Sequence, residues 1–411
     1  NVPSHQGDST TEAGSRAQRA GQGAASGGPG LMLWVFLGLF VVGIGSLLVG
    51  GADGAAQSDT KLLIVSFLFL MGLSQAGIVF CAITRLTRAQ WSKPYYRLAE
   101  LSTLAFAPFA IVGFLLIYIY AQDELFYWLN PSPEEHLSPW LNIHFLLIRN
   151  LFGLGLFYGL SIYYVLKGLR PDLVEGDETE ADHRAVEDEL YLLSPLVLGA
   201  YIICNTFIAW DFGMMLIPHW HSTIFPILYW FGNMFAGTAA LIIFPVLLGR
   251  KEGSYFGPDQ VRMLGMLVTG FTLMWLYFFW AQFFVMWFGN LPRETDALFR
   301  QMYGHYGPYF WTMMAGCFFI PFAAFLFAFV KRSILAMSAI AVGINVGIWI
   351  YKYLMVVPVF SPDDQPFSSW MDIAAAVGLT AGFLALVMLL ANRLPMYAHW
   401  ELALKPRPRR R

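Results

Sequence analysis

Trp210-Asp211-Phe212-Gly213-Met214-Met215-Leu216-Ile217-Pro218-His219-Trp220-His221-Ser222-Thr223-Ile224-Phe225 stands near mid-sequence, between two long apolar runs. Those runs, at about 191–212 and 222–248, are each long enough to cross a ~30 Å hydrocarbon core as a helix. The quoted stretch is then a turn at a membrane surface. It gathers one carboxylate, two imidazoles, a proline and two tryptophans, whereas most other breaks between apolar runs are ordinary loops.

Composition supports the same architecture. With 57% hydrophobic and 13% charged residues, and a mean hydropathy of +0.56, the chain is not a soluble globular protein. Lipid admits only segments that satisfy their own backbone, so an all-α integral membrane protein follows. Ten spans can be placed, at about 31–50, 62–84, 101–120, 143–166, 191–212, 222–248, 261–288, 308–330, 334–356 and 372–391. Residues 1–30 are rich in Gly, Ala and Ser and read as a flexible cytoplasmic tail. The net charge of −2 gives no reason to expect a nucleic-acid partner.

Lys and Arg set the orientation. Placing both termini in the cytoplasm puts twenty of the 25 basic residues on the inner side and three (Lys61, Arg293, Arg300) outside. The remaining two, Arg149 and Lys352, fall within spans.

A weak internal repeat divides the chain. Tyr120-Ala121-Gln122 matches Trp280-Ala281-Gln282, and at the same offset Asn130 matches Asn290 and Glu134 matches Glu294. Spans 2–5 then correspond to spans 6–9. An even number of spans per copy keeps both copies in the same orientation, related by an axis along the membrane normal. The expected units are a first span at 31–60, one copy at 61–212, a second at 213–357, and a last span with a basic cytoplasmic tail at 358–411.

Ionisable residues inside a membrane bundle are costly and point to function. His144 and Arg149 lie early in span 4, Asp211 ends span 5, His219 and His221 open span 6, and Lys352 falls late in span 9. Glu134 and Glu294 sit in outer loops, and the inner half offers little beyond Glu100. His144 and Asp211 fit either helix-end caps or proton acceptors. His219 and His221 read better as an interfacial pair than as metal ligands, so no metal site is expected. Lys352, placed one turn from its helix end, could snorkel to the surface or serve a proton path. Arg149 is too deep to reach water without a partner or a cavity. Cys81, Cys204 and Cys317 lie singly in apolar runs and read as small buried hydrophobes. With no haem-attachment or iron–sulfur spacing, and no mid-depth His pair for a b-type haem, the chain is expected to carry neither group. A partner would then accept any electrons.

Three segments carry a family likeness: the opening turn with Phe231-Gly232-Asn233-Met234-Phe235-Ala236-Gly237, Trp280-Ala281-Gln282 with Gly289-Asn290-Leu291-Pro292-Arg293-Glu294-Thr295, and Trp140-Leu141-Asn142 leading to Arg149. In these the chain resembles the NrfD/PsrC-like quinone-interacting membrane subunits, and more narrowly the smaller of the two such subunits of bacterial alternative complex III. The resemblance implies two four-helix bundles, spans 2–5 and 6–9, flanked by spans 1 and 10. It implies a bacterial cytoplasmic membrane, and as partners a larger homologous sister subunit, an iron–sulfur subunit and haem c subunits. The chain would serve a quinol:electron-acceptor oxidoreductase by binding quinone or moving protons. It departs from the family at Ile217 and Arg293, where acids are common, which leaves Asp211 as the turn's only carboxylate.

Quinol oxidation releases two protons, and acceptors near the outer surface would take them up. In that reading Asp211, His144 and His219 are acceptors or relays, and Arg149 holds a carboxylate or a quinone oxygen. His221, Trp210 and Trp220 would flank the quinone, and Glu134, Glu294 and Lys352 would extend the proton path. Two other readings compete: the quinone-binding anchor of a molybdopterin-type oxidoreductase, and a secondary transporter.

Overall fold

A computed structural model describes residues 30–52, 56–130, 138–173, 179–218, 220–247, 256–290, 292–360 and 370–404. Among them there is no strand, and ten helices are long and apolar enough to cross a membrane. These are α1 Leu31–Ala52, α2 Ala56–Leu86, α3 Tyr96–Tyr120, α4 Ile143–Leu173, α5 Glu180–Phe212, α6 Phe225–Leu247, α7 Pro258–Gly289, α8 Gly304–Phe325, α9 Ile334–Phe360 and α10 Trp370–Arg393. The chain is a ten-span, all-α membrane protein. The tail expected at the N-terminus lies outside the described residues up to Gly30, as does the basic stretch after Leu404.

The helix pairs repeat. Within α2–α5 the main contacts are α2 with α3, α2 with α5 and α4 with α5; within α6–α9 they are α6 with α7, α6 with α9 and α8 with α9. Between the groups α2 packs on α6, α2 on α9 and α5 on α6. Helices α2 and α6 are therefore the most enclosed, and 89% and 78% of their apolar windows are buried, against 28% for α7 and α8. Helices α1 and α10 pair with each other and lean on α2 and α3, so both flanking spans belong to one side of the bundle. Their axes approach closely because Gly43 meets Gly378: a Cβ added at Gly43 would lie 2.6 Å from Gly378 Cα and 2.9 Å from Ala374 O.

Several helices outrun the spans expected from hydropathy, chiefly at the inner end. Helix α5 has 33 residues, about 50 Å at 1.5 Å per residue, well beyond a hydrocarbon core. Its extra turns begin at a capping box: Thr179 Oγ1 accepts from Asp182 N, and the Asp182 carboxylate accepts from Thr179 N at 2.9 Å. Helix α3 starts at Tyr96 rather than near 101, after a 3-10 turn over Gln90–Tyr95, so Arg97 and Glu100 lie inside it and are buried. In α8 a π turn covers Ala315–Phe319, just before Pro321. Pro321 cannot donate to Cys317 O and its ring crowds that carbonyl, which a wider turn relieves.

Candidate functional site

The mid-sequence turn is tight where glycine permits it. A Cβ at Gly213 would lie 2.6 Å from the Phe225 ring and 2.8 Å from Ala209 O, so only glycine lets the chain leave α5 and fold back to α6. Asp211, two residues earlier, is fully buried. It faces α4, where Arg149 Nη2 donates to Oδ1 at 2.5 Å, Nε donates to Oδ2 at 2.9 Å, and Asn150 Nδ2 donates to Oδ2 at 2.5 Å. Arg149 Nη1 donates to Trp140 O at 2.8 Å, and its guanidinium lies 4.3 Å from the Trp140 ring centroid and 4.9 Å from that of Phe145. Trp210 meets Trp140 edge-on at 5.3 Å. Three N–H donors thus fill most of the carboxylate's lone-pair positions in a bidentate, fully enclosed pair. This arrangement locks α4 to α5 and leaves Asp211 little room to act as a free proton acceptor.

The other residues singled out in sequence scatter. His144 is exposed in the first turn of α4, whose N-terminus is capped by Asn142: Oδ1 accepts from His144 N at 3.0 Å and Phe145 N at 3.1 Å. His221 is exposed in the turn. Trp220 is buried against Phe225 with its indole N–H unpartnered. His219, Glu134 and the Glu294 side chain lie outside the described residues.

Lys352 does not snorkel. Helix α9 continues eight residues past it, through Pro358 to Phe360, and holds it ~12 Å from the helix end. The side chain is fully buried, and Nζ has no hydrogen-bond partner. It stands 2.9 Å from the centroid of the Tyr229 ring on α6, a cation–π position.

The half that the basic residues place inside is far richer than expected. Arg85 Nη2 donates to Glu100 Oε1 at 3.1 Å and to Glu401 Oε1 at 2.5 Å, and Nη1 donates to Tyr164 Oη at 2.8 Å. Arg97 donates to Glu100 Oε2 at 2.8 Å and to Asp172 Oδ2 at 2.5 Å. Lys93 Nζ donates to Glu401 O at 2.7 Å, and Trp400 Nε1 to Gly168 O at 2.9 Å. The short helix His399–Ala403 is thereby clasped over this end of α2–α5. Arg97 and Glu100 are one helical turn apart, a spacing that signals a pair only if α3 begins ahead of both; Glu401, 316 residues from Arg85, carries no local signal at all.

Between these two ends runs a buried polar column. Tyr164 Oη lies 3.1 Å from Ser194 Oγ, and higher up Tyr158 Oη lies 3.0 Å from Ser74 Oγ. Asn205 Nδ2 donates to Gln75 Oε1 at 2.7 Å, and Asn233 Nδ2 donates to Asn205 Oδ1 at 2.9 Å, carrying the column from α2 and α5 into α6. Gln75, Asn205 and Asn233 are buried, and each interrupts an apolar run, a signal that the amino-acid sequence itself carries.

Beneath the turn, Gly213, Trp220, Gln282, Gln301 and Tyr351 border a cavity of about 50 Å³. Ser222 Oγ is hydrogen-bonded to Gln282 Oε1 at its rim. That volume suits a few waters and not a quinone ring. A larger groove of about 600 Å³ between α1, α2, α3 and α10 is almost wholly apolar. Among the described residues no group of three or more His, Cys, Asp or Glu side chains is arranged to hold a metal ion. Compared with known proteins, the chain matches no family model and no curated protein sequence.

Proposed function

We propose that the chain is a proton-handling membrane subunit of a quinol:electron-acceptor oxidoreductase of alternative complex III type, with electron transfer and the main quinone site in partner subunits. The observation that carries this reading is the polar column in α2–α5, bounded by ionic clusters near both ends. Buried hydroxyls and amides in hydrocarbon are costly unless paired or used. Hydroxyl groups can accept one proton and release another, which suits a relay. At the turn, the small cavity favours proton handling over quinone binding. The sister, iron–sulfur and haem c subunits belong to the same proposal, as does a bacterial cytoplasmic membrane with both termini inside.

One observation favours a second reading, a proton-coupled secondary transporter. Gln75, Asn205, Asn233 and Lys352 gather well inside the helices, where transporters place their sites. The two readings separate in sealed vesicles holding the chain with the partners that purify with it. Under the first, adding a reduced short-chain quinol and an electron acceptor releases protons, and Tyr158→Phe or Asn205→Leu lowers the protons released per quinol oxidised. Native ratios in both variants would sink the column's role, and proton movement without quinol would favour the transporter.

A further inference from the structure

The polar column does not end inside the first bundle. Asn233 carries it to α6, and one turn back along the same helix stands Tyr229, fully buried with an unpartnered hydroxyl. The ring of Tyr229 supports Lys352 Nζ, whose ammonium form meets no carboxylate among the described residues. The next residue back along α9, Tyr351, has its ring centroid 5.8 Å from Nζ and lines the cavity beneath the turn. Leu228, beside Tyr229, lines the same cavity. Trp220, Gln282 and Gln301 line the same space. At about 50 Å³ the cavity is large enough for several waters, which Gln282 and Gln301 could bond.

We propose that Lys352 is the crossing point of a proton route that rises through the first bundle, passes between bundles at Asn205–Asn233–Tyr229, and leaves through a water-filled cavity beneath the Gly213–Phe225 turn. This rests on the proton-handling reading above and names its path and its carrier. The step is proton transfer alone. Lys352 accepts as the neutral amine: an N–H bond forms at Nζ as the Tyr229 O–H bond breaks, the Tyr229 oxygen takes a replacement proton from the column side, and an N–H bond breaks again when a cavity water takes the proton. No electrons move. The Arg149–Asp211 pair is not on this route; it fixes the neighbouring helices.

Two measurements test the route, and only one depends on quinol chemistry. In sealed vesicles carrying the full chain with its co-purifying partners, the Lys352→Cys variant is treated with silver ion on the side of the turn. Silver ion is close to water in size and caps thiols. The references are native Cys317, buried in α8, and an Ile344→Cys variant two turns deeper on α9. The new thiol should be capped at least about tenfold faster than either reference, since it needs no helix opening. Equal rates would overturn the wet route. In quinol-driven vesicles, Lys352→Met and Lys352→Arg should both lower the protons released per quinol by at least about half, because guanidinium does not give up its proton. Native behaviour in Lys352→Arg would show a merely structural cation and refute the proposal. If native vesicles release no protons, the proton-handling reading fails, and the silver result still decides whether water reaches Lys352.

Discussion

Cutting the Arg149–Asp211 pair from either side distinguishes a structural clamp from a free proton acceptor. Arg149→Leu leaves a fully buried carboxylate with Asn150 as its remaining donor; Asp211→Leu leaves a buried guanidinium whose remaining bond is to Trp140 O. Removing one partner of a buried pair strands the other charge and costs ~3–5 kcal/mol. The double variant Arg149→Leu/Asp211→Leu strands neither. Its cost should stay below ~3 kcal/mol, mostly from repacking around Trp140 and from the bond Asn150 loses. The cycle should therefore show a coupling of at least ~3 kcal/mol, near the top of the range for residues in contact. Unfolding in mixed micelles on titration with a denaturing detergent, followed by tryptophan fluorescence, measures all four chains. If the two single costs add, or if Arg149→Leu costs under ~1 kcal/mol, the clamp argument is refuted and Asp211 returns as a proton acceptor.

Two further outcomes follow from the buried charges. Lys352→Met should raise stability by ~1–3 kcal/mol in the same titration, because an unpaired buried amine gives way to an apolar side chain of similar length; a loss of stability would mean that Nζ has a partner. Glu401→Ala should loosen the clasp of the His399–Ala403 helix by stranding one bond of Arg85. Limited proteolysis should then cut the C-terminal segment at least several-fold faster than in the native chain, and an unchanged rate would show the clasp is held by Lys93 and Trp400 alone.

The ten spans were legible because hydrophobic length is a local property, and hydrocarbon thickness fixes what length is needed. What hydropathy misplaced were the inner helix ends. Charged turns such as Glu180–Glu189 lower the hydropathy of a window without ending a helix, and a capping box marked the true start of α5. That error hid Arg97 inside α3 and suggested a poor inner half. Lys352 was expected one turn from its helix end, but α9 runs on through Pro358 to Phe360, so the lysine lies deeper. The pairing of Arg149 with a carboxylate was foreseeable from its depth. Its choice of Asp211, 62 positions away, depends on how α4 packs against α5, which no single-chain pattern encodes.

The two groups of four helices pair alike but carry different chemistry. Helices α2 and α5 carry Ser74, Gln75, Ser194, Asn205 and Asp211, all buried, and α4 adds Arg149, Asn150, Tyr158 and Ser161. Among the described residues of α6–α9, apart from the tyrosines Tyr229, Tyr306, Tyr351 and Tyr353, the buried polar side chains are Asn233, Thr238, Thr272, Ser338 and Lys352. Asn233 bonds across to Asn205 of the first group, and Lys352 lies over the ring of Tyr229, one turn from Asn233 on α6. Under the proposed route the second bundle is more than a scaffold: Asn233 extends the polar column into α6, and one turn back Tyr229 carries Lys352 on its ring.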